Sequence, residues 1–152
     1  MATGFIYDER FLDHDTGLGH PERPDRLRAI VAGLRSAGLW DRLEHLAFEA
    51  ATPSRIERLH SPADVDRASE SCASGMGYVD VPDSAVCEAS ADLAMLAVGG
   101  VMRATDAVMG GEIDNAFCAV RPPGHHAEMG RSMGFCLFGN VALAAESLIA
   151  DH

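Results

Sequence analysis

The stretch RPPGHHAEMGRSMGFCLFGN, Arg121 to Asn140, decides how this chain is read. Pro122 and Pro123, glycines at 124, 130 and 134, and the adjacent histidines His125 and His126 fill a segment with neither helical nor strand periodicity. Each proline fixes its own φ, so the loop is stiff. A turn that only connects two elements does not need a pair of imidazoles, the side chains whose unperturbed pKa lies closest to neutrality. Neighbouring imidazoles cannot both charge cheaply. One can therefore stay neutral as a base while the other holds a proton or a hydrogen bond. From the residues alone, two histidines that merely cap a strand end remain the competing reading.

Immediately upstream, AFCAV (Ala116 to Val120) is a continuous apolar run, the pattern of a strand buried on both faces. The histidines thus follow the carboxyl end of a strand, where open α/β sheets bind ligands. Further upstream, TGFIYD (Thr3 to Asp8) reads as a first strand and HLAFEAA (His45 to Ala51) as a second. Between them, the Gly/His/Pro loop Asp13 to Pro24 leads into a helix that Pro24 can open and Gly38 can end. Its Leu27, Ile30, Val31 and Leu34 share one face. Thr52-Pro53 and Ser61-Pro62 each place a capping residue before a proline and predict two short helices. Residues 72 to 84 read as a loop.

A long helix is predicted over Ser90 to Met109, stopped by Gly110-Gly111. Leu93, Leu96, Ala97, Gly100, Val101, Ala104 and Val108 form its small-residue face. Gly99 and Gly100 cost helix propensity, about 1 kcal/mol each against alanine, which is tolerable where a helix lies close on a sheet. Asn140 can cap a last helix with Val141, Ala144, Ala145 and Leu148 on one face. Strand–helix alternation with apolar strands gives an α/β class with a parallel sheet and flanking helices. There is no internal repeat or linker, and 152 residues correspond to a single domain.

Composition bounds the function. A net charge of −11 argues against a nucleic-acid surface. It mildly favours a cationic substrate, with plain solubility as the competing explanation. All basic residues are arginine, so lysine Schiff-base chemistry is excluded. Cys72, Cys87, Cys118 and Cys136 form no C-x-x-C pair and read as reduced thiols of a cytoplasmic protein. No signal peptide is evident, and the longest apolar run, near Leu93 to Met102, is too short for a bilayer.

Several segments together resemble the histone deacetylase family, including its bacterial deacetylase and acetylpolyamine amidohydrolase relatives. GHPERPDRLRAI (Gly19 to Ile30) resembles the family's opening loop and first helix, LHSPADV (Leu59 to Val65) its HSP-x-x-V segment, and PDSAV (Pro82 to Val86) the region of its Asp-Thr pair. NAFCAVRPPGHHA and MGFCLFGNVALAA resemble its strand, double-histidine loop and following helix. Gly139 departs from the usual F-N-N run. The resemblance implies the N-terminal half of a three-layer arginase/deacetylase fold and the hydrolysis of N-acetyl amides of the acetyl-lysine or acetylpolyamine kind. It implies that His125 and His126 carry protons at the scissile amide. It also implies that Gly134 and Phe135 form the substrate channel, with ordinary core packing as the alternative. Asp83 would orient the substrate from the rim, with a turn aspartate as the alternative. His20 would lie near the channel mouth. His14, His45 and His60 are expected to be structural, and Arg121 to pair with a carboxylate or to serve catalysis.

The family reaction needs zinc, held by a D-x-H pair after the next strand and by a later aspartate. The sequence stops at Asp151-His152, which lacks that spacing, so no zinc ligand is recognised and the isolated chain is expected to be inactive. Three readings stay open: part of a zinc deacetylase, half of a split enzyme, or a non-catalytic binding protein. A thiol hydrolase using Cys136 is the weakest alternative. The edge of the third strand is expected to drive homo-oligomer formation, with no nucleic-acid or membrane partner.

Overall fold

The computed structural model describes residues 1–151. His152 and the Asp151 side chain lie outside the described residues, and the sequence reading of that pair lies there with them. In chain order the elements are β1 (Thr3–Ile6), α1 (Asp25–Ser36), β2 (Glu44–His45), α2 (Pro53–Ile56), α3 (Pro62–Ala73), α4 (Ser90–Met109), β3 (Asn115–Cys118) and α5 (Asn140–Asp151). Short 3₁₀ turns cover Glu9–Asp13 and Trp40–Arg42.

The sheet order is β2-β1-β3 and both pairings are parallel. Phe5 faces His45 on one side and Phe117 on the other. Successive side chains of a strand point to opposite faces. On one face Phe5 meets the edge of Trp40 at 5.6 Å, beside Ile30 and Leu34 of α1. On the other, Ile6 meets α4. A Cβ at Gly100 would stand 2.6 Å from Ile6 Cγ2, and a Cβ at Gly99 would run into the Glu49 carbonyl and stand 2.8 Å from Ala51 N. The close approach explains both glycines: an alanine at 100 would push α4 off strand β1, and one at 99 would push it off the 49–51 segment.

Helix α4 holds two cores together. Leu93, Leu96 and Ala97 pack with Phe5, Phe11 and Leu27. Ala91, Ala94, Val98 and Met102 pack with Ile56, Val65, Leu137, Phe138 and Leu143. Ser61 closes a full capping box with Asp64 at the start of α3, whereas Thr52 makes no side-chain cap on α2.

Two expectations need correction. The second strand is much shorter than His45 to Ala51. Beyond Glu44–His45 only Leu46 N–H still donates to the β1 carbonyl of Phe5, at 3.1 Å. The chain then leaves the sheet, Phe48 stacks on Phe11, and Ala51 N–H donates to Met95 O at 3.0 Å. The third strand is not buried on both faces, because Asn115, Ala116 and Phe117 are exposed. Among the described residues strand β3 pairs only with β1, and an apolar groove of about 310 Å³ runs beside it. Its walls include Val101, Ala104 and Val108 of α4 and Leu148 of α5. No helix among the described residues is long and apolar enough to cross a membrane.

Candidate functional site

The site forms where the loops after β1 and β3 meet. Ala119 N–H continues the ladder to Ile6 O at 2.8 Å, which brings residue 121 beneath the loop at 9–24. There Arg121, fully buried, makes a forked pair with Glu22: Nε to Oε1 at 2.6 Å and Nη2 to Oε2 at 2.7 Å. Its Nη1 donates to Phe11 O at 3.0 Å. Burial alone would raise the Glu22 carboxyl; the bonds and charge of Arg121 outweigh it and hold the pKa below the usual value. Arg121 is thus an ion-pair anchor. It ties the double-histidine loop to the opening loop.

His14 lies behind that pair. Its Nδ1 is 2.7 Å from Ser90 Oγ, and its Nε2 is buried 3.7 Å from Glu22 Oε2. Burial first, then the charge of Arg121, push His14 down to about 4. Glu22 is already spent on Arg121 and cannot hold His14 protonated, so the imidazole is neutral.

After Arg121, Gly124 passes directly against the Asn140 side chain, leaving no room for a Cβ. Asn140 is itself buried at the start of α5, and Val141 N–H donates to Gly124 O at 3.1 Å. The next two residues, His125 and His126, emerge exposed, with ring centroids 4.2 Å apart.

Residues 133–136 form a two-residue hairpin turn. Met133 N–H donates to Cys136 O at 3.1 Å and Cys136 N–H donates to Met133 O at 3.0 Å. Gly134 and Phe135 both have positive φ, 58° and 68°. Left-handed backbone at both central positions is the type I′ turn, which favours Gly and Asn and tolerates Phe at a cost. The strained Phe135 is held at the turn's tip. Gly134 lies flat on His126: a Cβ there would stand 2.6 Å from the ring. Phe135 meets His20 edge-on, with centroids 4.9 Å apart.

The outcome is a cleft of about 500 Å³. Pro123, His125 and His126 of the double-histidine loop, Gly134 and Phe135 of the turn, and Pro21, Glu22 and Arg26 of the opening loop and α1 line it. Four of the six candidate residues therefore share one cavity, and His20, which does not line it, packs against Phe135, which does. Asp83 is exposed on the 78–86 loop, where its carboxylate accepts from Ser84 Oγ at 3.3 Å, and it does not line this cleft. Arg26, bonded to Glu22 Oε1 at 3.0 Å, is a cleft residue the sequence reading leaves out. Its signal is in the sequence: it stands four residues after Glu22.

His60 and His45 make their contacts away from the cleft. His60, buried, accepts the Gly139 N–H on Nε2 at 2.9 Å. Burial pushes its pKa down against the opposing charge of Asp64. His45 contacts Trp40 O at 3.0 Å. The four cysteines are free thiols. Cys136 is buried and its thiol donates to Gly134 O at 3.3 Å, inside the turn rather than in the cleft.

The histone deacetylase domain profile matches residues 20–152. The chain belongs to the histone deacetylase family. It is 38% identical to histone deacetylase 5 of Arabidopsis thaliana over 98% of its length and 24% of that protein's. It is 34% identical to a probable deacetylase of Archaeoglobus fulgidus, covering 98% of this chain and 42% of the relative. It is 32% identical to a histone deacetylase-like amidohydrolase of Pseudomonas aeruginosa, covering 99% and 44%. The crystal structure of the HDA15 HD domain superposes with a TM-score of 0.87 at 37% identity, over 98% of this chain and 44% of that one. The fold is therefore that of the arginase/deacetylase class, and this histone deacetylase family chain spans less than half the length of these relatives.

Proposed function

We propose that this chain is the proton-transfer and channel-forming part of a hydrolase acting on N-acetyl amides such as acetyl-lysine or acetylpolyamines. The observation that carries the reading is the single cleft shared by His125, His126, Gly134 and Phe135 at the carboxyl ends of the strands. An extended acylated amine fits between the Phe135 ring and the Pro21 side, with its carbonyl end at the imidazoles. His126, packed under Gly134, has a set direction and takes the role of proton acceptor; His125 beside it donates or holds the second proton. Asp83 would reach the substrate only from outside the cleft mouth.

In this family zinc supplies activation of water and polarisation of the carbonyl. Among the described residues no group of three or more His, Cys, Asp or Glu side chains is placed to hold a metal. The residues described do not fit that ion, and no step is derived through it. The isolated chain is expected to be inactive.

Co-expression with the part of a relative that follows the matched region tests the reading. Acetate release by the pair is expected, and His126→Ala should lower turnover ~10²–10⁴-fold, the usual contribution of a positioned base. An assembled pair that releases no acetate, or an alanine variant with full turnover, would overturn it.

A second reading, a non-catalytic self-associating chain, is favoured by one observation: the open edge of β3 with its apolar groove. In that reading a second copy of the chain pairs along β3.

A further inference from the structure

We propose that Arg67 is a positioning residue for the cleft: it holds the Asp64 and Asp80 carboxylates and the Gly130 carbonyl at once and so fixes the loop that presents Gly134 and Phe135 to His126. This inference rests on the reading of the cleft as the substrate channel.

The loop 128–136 has two tight turns in series. Glu128 and Arg131 exchange hydrogen bonds at 2.9 and 3.2 Å, and the Gly134-Phe135 turn follows. Neither turn belongs to a sheet, and most of residues 125–131 are exposed. The backbone strain at Phe135 has to be held by something else. Arg67, on α3, supplies that hold. Its Nε donates to Asp80 Oδ1 at 2.7 Å and its Nη2 to Asp64 Oδ1 at 2.9 Å and to Gly130 O at 3.2 Å. The carboxylates then grip the same loop by its amides. Asp64 Oδ2 accepts Gly130 N–H at 3.1 Å, and Asp80 Oδ2 accepts Ser132 N–H at 2.7 Å.

Both peptide groups of the first turn's end are thus bound from α3 and the 78–86 loop. From there the hold passes inward, because Ser132 Oγ donates to Leu137 O at 3.0 Å across the base of the second turn. Asp80 itself adopts φ 57°, a left-handed geometry aspartate tolerates better than most residues. Burial would raise the Asp64 carboxyl, but its bonds from Ser61, Arg67 and Gly130 hold it below the usual value, which keeps it charged against the guanidinium. The guanidinium spreads its N–H donors over a rigid plane and so meets these separated acceptors from Nε and Nη2, whereas an ammonium offers its three donors from one point.

The test is amide hydrogen exchange and imidazole NMR on the full chain, with Arg67→Met, Arg67→Lys and Asp80→Asn. Arg67→Met is expected to raise exchange at Gly130, Ser132 and Cys136 by about tenfold or more, while α4 amides keep their rates, as a local opening does. The His126 ring signals should shift, since Gly134 lies on that ring. Arg67→Lys should fall between, and Asp80→Asn should expose Ser132 most. Wild-type rates in this loop, unshifted His126 signals, or full protection with lysine would overturn the proposal. So would a loss of protection spread evenly over α4. None of these readouts uses turnover, so a failed deacetylation assay would count against the cleft reading alone.

Discussion

Arg121 and Glu22 face each other through two parallel hydrogen bonds of 2.6 and 2.7 Å, both side chains buried. They join the loops that carry the two sides of the cleft. Breaking one partner of such a pair leaves an uncompensated buried charge, typically costing about 3–5 kcal/mol. Glu22→Gln and Arg121→Met are each expected to destabilise the chain by roughly that amount. The double variant Glu22→Met with Arg121→Met should cost less than the two singles added. Urea unfolding of all three checks this. Additive losses would mean the two groups act separately.

The neutral His14 makes stability depend on pH. Its folded pKa, about 4, lies below the unfolded 6.5. Between those values the unfolded chain binds the proton and the folded chain does not, so stability is full above pH 6.5 and falls as pH drops toward 4. The loss amounts to roughly 3 kcal/mol from this one group. His60 shifts in the same direction and adds to it. Glu22, whose pKa is lowered from 4.5, adds a further loss only at more acid pH. Urea midpoints of His14→Phe measured from pH 7 to 4 should fall less steeply than wild type. Equal slopes would place the titration elsewhere.

Gly134 is fixed by contact and by conformation. Alanine there must adopt φ near 58° and move the His126 ring. The backbone alone costs about 1–2 kcal/mol. Gly134→Ala is expected to lower stability by about that much and, in the complemented enzyme, to lose turnover far beyond what stability accounts for. Comparing urea midpoints with turnover separates the two effects. Turnover that tracks stability alone would mean His126 does not depend on this packing.

How much of this was legible depends on how local each signal is. Helix α4 is legible over Ser90–Met109 because apolar spacing and the Gly110-Gly111 stop are both local. The first strand is legible for the same reason. The second is not, because Leu46 to Ala51 keeps a strand-like composition while Phe48 is drawn onto Phe11, a contact no pattern within the segment shows. Strand β3 looks fully buried in sequence because apolar residues do not reveal whether a neighbour is present. At the site, Gly134 and Phe135 stand out through the resemblance, but the turn type that makes them work appears only in their φ values. Arg67, Asp64 and Asp80 are ordinary surface charges in sequence; their shared target, Gly130 and Ser132, lies more than fifty residues away.

A metal titration bears on the proposed division of labour. With no cluster of three donor side chains among the described residues, the isolated chain should bind zinc only weakly. Elemental analysis after dialysis is expected to show well under one zinc per chain. Stoichiometric zinc would locate a ligand set that includes residues beyond those described.

The last prediction concerns the open edge of β3. Phe117 is 42% exposed although it packs on Phe5, and Val108 and Met109 in the groove wall are exposed as well. An unpaired strand edge flanked by apolar surface is a template for another chain. For a single species the simplest closed arrangement is a two-fold dimer, in which the same edge of each copy meets its mate. The isolated chain is therefore expected to self-associate, and Val108→Lys, which sets a charge in the groove wall, should shift it toward monomer without unfolding it. Light scattering over a dilution series reads both. The complementing segment should compete with self-association if it uses the same edge. A wild-type chain that stays monomeric at high concentration would remove self-pairing as the role of this edge and with it the reading of the chain as a self-associating binder.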